Sequence, residues 1–342
     1  MKPFIFIRKK IISFLILLFI VFLVLFSNSA FIATKKGINL WANNVVPSIF
    51  PFLIAVDLLK QTNVIYFLST YLDRFMRPLF NLPGIASFPF VMGFLSGYPV
   101  GAKIVSDLYS NAAFTKEEAE RMLPLTNNSG PLFIVGTVGI SFYSNTLIGI
   151  ILLITHILSS ITIGVINGLF SRLKIINTYS NRSPIKLNKD NSISELGEIL
   201  SNSIMNSIKT ILLIGGFVTL FSVVIAILEK TKIIIFFSRL ISSTIHCNSN
   251  IVNALLSGII EFTNGLSKLS TIHLKSISIN IILSSIIIGF GGVSVTLQVS
   301  SIICKHHLSI KKYILSKIFQ ALVASFYTFL LLKIPFFNFD LQ

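Results

Sequence analysis

Negative charge is scarce in this sequence: 342 residues include only 12 Asp and Glu, against 28 Lys and Arg. All charged residues together make up 12% of the chain, beside 53% hydrophobic ones, and the mean hydropathy is +0.84. That balance excludes a soluble fold of this size and requires lipid as solvent. Cysteine is nearly missing: Cys247 and Cys304 lie too far apart in sequence to suggest a disulfide framework. Cys304, His306 and His307 are neighbours, but no further Cys or carboxylate joins them, so no metal site is expected. There is no phosphate-binding Gly-Lys-Ser loop, which argues against a nucleotide-driven pump. No nucleophile and base fall at helical spacing, so no enzyme is expected.

What is present is a set of long apolar runs. Ile11 to Phe26, Thr146 to Phe170, Thr210 to Leu228 and Tyr313 to Leu332 approach the ~20 residues that span a hydrocarbon core. The basic residues are scattered between such runs rather than gathered on a polar domain, which argues for membrane topology and against a nucleic-acid partner. Arg8, Lys9 and Lys10 precede the first run and place the N-terminus in the cytoplasm. The basic stretches Ser171 to Lys209 and Lys305 to Lys317 are expected on the same side. The first run, ending at Ser29-Ala30, also resembles a signal peptide, but its length favours a retained helix.

Between the long runs lie apolar stretches punctuated by Gly, Pro, Asn and Ser, which must pack inside protein. They divide the chain into an N-terminal helix and connector at 1–40, a first repeat at 41–170, a polar cytoplasmic linker at 171–198 and a second repeat at 199–342. Leu95-Ser96-Gly97 recurs as Leu256-Ser257-Gly258, and Ser129-Gly130-Pro131 meets Gly291-Gly292-Val293 at nearly the same offset. Interrupted apolar segments at matching places in two halves point to the binding site of a secondary transporter. The first half is punctuated by Pro47 and Pro51, and later Thr115 and Glu118 form a capping box that opens a charged helix to about Met122. That helix is expected outside the bilayer, with 96–103 and 127–131 re-entering from its side.

Four motifs could hold a solute. In Ser96-Gly97-Tyr98-Pro99-Val100-Gly101-Ala102-Lys103, Gly97 and Pro99 break a helix, and the restart offers N–H groups to an anion, with Lys103 strengthening the field if it points inward. Asn127, Asn128 and Ser129 lead into the Gly130-Pro131 break. Glu261 follows the apolar run Ile251 to Ile260 without a break. A carboxylate at a membrane helix centre costs roughly 2.5–3.5 kcal/mol, so it needs a partner, a cation or a proton. Thr263 and Asn264 could ligate a cation or substrate, and an ion pair with Lys268 or Lys103 is the structural alternative. Gly291, Gly292 and Ser294, with Gln298, form the matching break of the second half, which would also serve tight packing. Asp57 and His156 also lie within apolar stretches and are read as structural polar groups, with a proton relay as the alternative.

These motifs, with Lys116-Glu117-Glu118-Ala119-Glu120-Arg121 and Asn127 through Phe133, resemble the YlbJ-type sporulation integral membrane proteins of endospore-forming bacteria from Trp41 onward. That family is built on the nucleoside-recognition, or Gate, domain shared with concentrative nucleoside transporters. The resemblance implies an all-α polytopic membrane protein of two inverted repeats, with broken helices and re-entrant hairpins meeting at the substrate site. It also implies a role: moving dipicolinic acid from the mother cell across the outer forespore membrane toward the spore. The expected partners are a small anion and membrane lipid, with no cofactor and with Na⁺ or H⁺ as candidate coupling ions. The oligomeric state stays open. A nucleoside transporter, or a structural or signalling protein without transport, are the alternatives.

Overall fold

The computed structural model describes residues 2–59, 62, 64–173, 193–272, 274 and 276–334, and these form helices joined by short turns, with no strand among them. The chain begins with α1 (Lys2–Leu25), α2 (Ser27–Leu40), α3 (Val46–Leu59) and α4 (Val64–Phe80). It continues with α5 (Ser87–Ser96), α6 (Val100–Ser110), α7 (Lys116–Thr126), a wide π-helical segment (Phe133–Phe142) and α8 (Thr146–Leu173). After the linker come α9 (Ile193–Lys230), α10 (Ile233–Ile245), α11 (Ser249–Ile260) and α12 (Phe262–Ser270), then α13 (Ile277–Phe290), α14 (Gly292–Ile303) and α15 (Lys311–Leu332).

Five stretches are long and apolar enough to cross a membrane: Ser27–Leu59, Thr146–Leu173, Leu196–Lys230, Ile277–His306 and Lys311–Leu332. The pair Phe67–Phe80 and Gly84–Ser96 is apolar as well but bent by 95° at its break, as in a broken span or a re-entrant loop. Three of the four expected spans fall within these stretches. The fourth lies in α1, whose apolar part Lys10–Leu25 is shorter. Ser27–Leu59 corrects the reading of Pro47 and Pro51 as interruptions. A proline removes an i→i−4 bond, and the π turn Trp41–Val45 has already shifted that ladder, so the helix runs on. The expected polar loop to Lys209 is corrected as well, because helix α9 begins at Ile193. Most of the linker, 174–192, lies outside the described residues.

Contacts orient the two ends of the bundle. Helices α8 and α15 run antiparallel, through Asn167 to Ser316 (3.2 Å) and Thr328 to Thr155 (3.0 Å). At the end carrying Arg172, Lys311 and Lys312, Arg121 donates to Asn81 O (3.0 Å) and Phe80 O (3.4 Å), and Arg172 donates to Arg77 O (2.9 Å) and to Pro78 O. Two guanidiniums thus satisfy carbonyls that the end of α4 leaves open. Buried Glu120 on α7 accepts from Ser309 N (2.9 Å) and pairs with Lys312 (3.2 Å) at this end, and Tyr109 at the end of α6 meets the His306 ring. The positive-inside rule assigns this end to the cytoplasm.

Helix α5 descends from that end to mid-bundle and α6 returns to it, so 87–110 is a re-entrant hairpin. The opposite end holds the start of α8, where Tyr143 bonds Ser284 (2.8 Å) and Asn280 donates to Leu269 O (2.9 Å) and Ile272 O (2.8 Å). Helices α11 and α12 enter from this far end and return to it. Helix α7, expected outside the bilayer and ending near Met122, instead runs inward to Thr126 with Met122, Leu123 and Leu125 buried. Its capping box is present, with Glu118 N donating to Thr115 Oγ1 (3.2 Å) and Thr115 N to Glu118 Oε2 (2.6 Å). The break after it, 127–130, opens into the π-helical segment leading to the far end, so 127–131 belongs to a crossing helix rather than a re-entrant loop.

Hairpin α5–α6 closes on the end of α7 through two glycines. A Cβ on Gly93 would stand 1.8 Å from Thr126 O, and one on Gly101 2.0 Å from it. Gly93→Ala should therefore destabilise the fold by about 1–3 kcal/mol, the range typical of overpacking, and lower the thermal unfolding midpoint in detergent. Gly216→Ala on α9, where nothing lies within 4 Å of the added methyl, should leave it unchanged or raise it. Equal midpoints for the two variants would contradict this packing.

Candidate functional site

Four helix breaks meet at the centre of the bundle. Gly97, at the tip of hairpin α5–α6, has φ +79°, and a Cβ there would lie 2.7 Å from Gly130 N, in the break after α7. The second half has the same kind of contact: Gly292, φ +83°, would bring a Cβ 3.2 Å from Phe262 N at the tip of hairpin α11–α12. The halves then join through rings. Phe262 packs 5.8 Å from Tyr98 and 5.1 Å from Phe133, while a Cβ on Gly291 would approach Tyr98 Oη to 3.0 Å. Between the breaks lies a cavity of about 20 Å³ lined by Tyr98, Ser129, Gly130, Phe133, Thr263 and Gln298, with Val45, Ile49, Ile214, Val218, Phe262 and Val295. That volume holds about one water.

Behind Tyr98 sits Lys317 of α15, fully buried. Its ammonium donates to Asn128 Oδ1 (3.1 Å) and Gln320 Oε1 (2.8 Å) and stands 5.5 Å from the Tyr98 ring centroid and 5.8 Å from that of Tyr313. No carboxylate among the described residues pairs with it. Asn128 is held firmly for this task. Its Nδ2 donates to Leu125 O (2.7 Å) and Ser160 Oγ (2.9 Å), and its Oδ1 also accepts from Gln320 Nε2 (3.1 Å). Asn127 donates to Tyr313 Oη (2.8 Å) and Ser129 N to His156 Nε2 (3.2 Å), so the whole break is tied to α8 and α15.

Glu261 stands one residue from the cavity wall. It was expected in mid-helix, but it is the hinge between α11 and α12, with extended backbone (φ −144°, ψ 115°). Its Oε2 accepts from Asn264 N (2.7 Å) and Asn264 Nδ2 (2.8 Å), so it caps α12 with negative charge at the positive end of the helix. Asn264 Nδ2 also reaches Ser222 Oγ (2.8 Å). Among the described residues, Glu261 Oε1 and the buried hydroxyl of Thr263 have no hydrogen-bond partner of acceptable geometry. Neither proposed ion pair forms: Lys268 pairs with Glu229 (2.6 Å) and also bonds Ser257 and Asn253.

The remaining expected residues divide. Ser96 spends its hydroxyl on Met92 O (2.6 Å), Gly101 serves packing, and Ser294 is buried on α14 within 3.4 Å of Gln298 Nε2. Lys103 is not at the centre. It lines a separate gap of about 10 Å³ with Asp57, Asn206, Ser207 and Thr210, whereas the buried lysine at the centre is Lys317. Sequence reading had placed Lys317 on the cytoplasmic surface. The available signal was its position inside the apolar run from Tyr313, with Gln320 one turn away on the same face. Among the described residues, no three His, Cys, Asp or Glu side chains gather as a metal site would require.

Helix breaks converging around a polar centre in an apolar bundle define a broken-helix membrane protein, and comparison with known families agrees. The family model described as nucleoside recognition, Gate, matches residues 42–173. The sporulation integral membrane protein YlbJ of Bacillus subtilis (strain 168) is 32% identical over 319 residues, 89% of this chain and 78% of that protein. The chain belongs to the YlbJ family of sporulation integral membrane proteins. No solved structure matches it.

The cradle makes a stability prediction. Lys317→Met removes a buried amine while keeping its length; relief of its desolvation offsets the acceptor left open at Gln320 Oε1, so thermal stability should change by less than about 1 kcal/mol. Asn128→Leu leaves the ammonium short of an acceptor and should cost about 2–3 kcal/mol. Combining both should recover part of that loss. A double variant no better than Asn128→Leu alone would contradict the coupling.

Proposed function

We propose that this membrane protein is a secondary carrier for a small anionic solute. The observation that carries the reading is Lys317: a fully buried ammonium at the meeting of four helix breaks, held by amide oxygens that supply dipole and no compensating charge. Taking a cation out of water costs several kcal/mol, and an incoming carboxylate offsets that cost where a neutral solute does not. Ser129, Gly130, Thr263 and Gln298 supply further polar groups on the cavity wall. A cavity of about 20 Å³ is too small for an aromatic diacid, so admission requires the hairpins to separate from the crossing helices. Hairpins entering from opposite ends suit two inverted repeats and access from each side in turn.

Dipicolinate, a rigid aromatic ring with two carboxylates, fits both this chemistry and the sporulation family. The direction proposed is from the mother cell across the outer forespore membrane. Glu261 then has a definite part. A carboxylate beside an anion site opposes the solute unless its own charge is neutralised, so H⁺ or Na⁺ at Glu261, with Thr263 alongside, would couple cation and solute. The nucleoside reading rests on the Gate match and requires no buried cation.

The test is uptake by proteoliposomes of labelled dipicolinate beside a labelled nucleoside, with and without Na⁺ and pH gradients. Saturable dipicolinate uptake, unaffected by excess nucleoside and dependent on one gradient, is expected. Lys317→Met should reduce it about tenfold or more, the effect of losing roughly 1.4 kcal/mol of anion binding. Glu261→Gln should abolish dependence on the gradient. Nucleoside uptake that survives Lys317→Met would establish the alternative, and no uptake of either solute by folded protein would overturn the carrier reading.

A further inference from the structure

The buried lysine and the cavity are adjacent compartments, and one side chain divides them. Tyr98 forms part of the cavity wall, whereas Lys317 does not. The other face of the matter is the cation–ring distance of 5.5 Å, which lies inside the range of about 6 Å over which a ring face attracts an ammonium. Tyr98 is held in that place from two further directions. Its hydroxyl donates to Ile288 O (3.3 Å), near the end of α13, and its ring packs edge-on to Phe262.

The carbonyl of Ile288 is one of those that the α13–α14 break leaves without an intrahelical partner. The break itself makes room for the hydroxyl. Gly291 has φ +79°, and a side chain there would press on Tyr98 Oη at 3.0 Å. Tyr98 therefore reads the position of α13–α14, sits at the tip of hairpin α5–α6 beside Gly97, and screens the charge on α15. A movement of the hairpin away from α13–α14 would break one hydrogen bond and lift the ring from the ammonium together.

We propose that Tyr98 is the cover of the anion site: its ring face occupies Lys317 until a solute carboxylate displaces it, merging the cavity with the lysine compartment. The inference rests on the anion-carrier reading and adds a specificity determinant to it. A carboxylate binds an ammonium more strongly than a ring face does, so an anionic solute compensates for lifting Tyr98 and a neutral solute of the same shape does not.

The test is lysine reactivity, which needs no transport. Purified protein is treated with formaldehyde and a borane reductant, and methylation of Lys317 is followed by mass spectrometry relative to exposed Lys311. In the wild type Lys317 should be strongly protected. Tyr98→Phe, which keeps the ring and loses only the bond to Ile288, should raise its rate about fivefold, the population shift of one net hydrogen bond. Tyr98→Ala should raise it further, and dipicolinate should restore protection in that variant. Both variants are compared at equal monodispersity, and Tyr98→Phe keeps the test open if the alanine variant fails to fold. Unchanged Lys317 reactivity in folded Tyr98→Phe and Tyr98→Ala would overturn the proposal. Lys317 exposed in both variants but not protected by dipicolinate would uphold the cover and count against the anion-carrier reading instead.

Discussion

The centre of this protein is organised by a lysine that cannot reach water. Lys317 bonds Asn128 and Gln320, and the contacts around the first-half breaks keep those groups in place. Asn128 must stand in a helix break to present its oxygen. The break needs Gly130 against Gly97, and Gly97 needs the tip of the α5–α6 hairpin to turn with positive φ. Tyr98 follows Gly97 directly and so lies over the ammonium. A polar centre of this kind is costly in lipid, and intramembrane ionisable groups ordinarily mark a solute or ion path.

The second half supplies the opposite charge without pairing it. Glu261 caps α12 rather than reaching for Lys317, and the side chains between them, Tyr98, Phe262 and Phe133, are aromatic. Two buried ionisable groups are thus held apart by rings near the junction of four breaks. Two of the ion pairs that form lie toward opposite ends of the bundle: Glu120 with Lys312 joins α7 to α15, and Glu229 with Lys268 joins α9 to hairpin α11–α12.

Much of this was legible in the sequence. Length and apolarity gave α8 and α15, the capping box of Thr115 and Glu118 gave the start of α7, and the motifs around Gly97, Gly130 and Gly291 marked three of the four breaks. Glu261 was expected in mid-helix because the run Ile251 to Ile260 is read as one apolar helix that continues through it. The chain turns there because the carboxylate itself offers a cap to Asn264 N, a contact no periodicity shows. Pro47 and Pro51 misled in the other sense, since a π turn upstream lets the helix continue. Lys317 and Lys103 exchanged places for a tertiary reason. The sequence shows a lysine near each end of an apolar run but not which face it presents, and only packing against α7 and α8 turns Lys317 inward.

The central claim is that charge on the solute is what the site recognises. It is tested most directly by equilibrium binding of pyridine-2,6-dicarboxylate and its neutral dicarboxamide, nearly the same in shape, to the purified protein. Saturable binding of the diacid, lost in Lys317→Met, with no competition from the diamide, is the predicted result. Equal binding of the two, or diacid binding that survives the loss of Lys317, would contradict it.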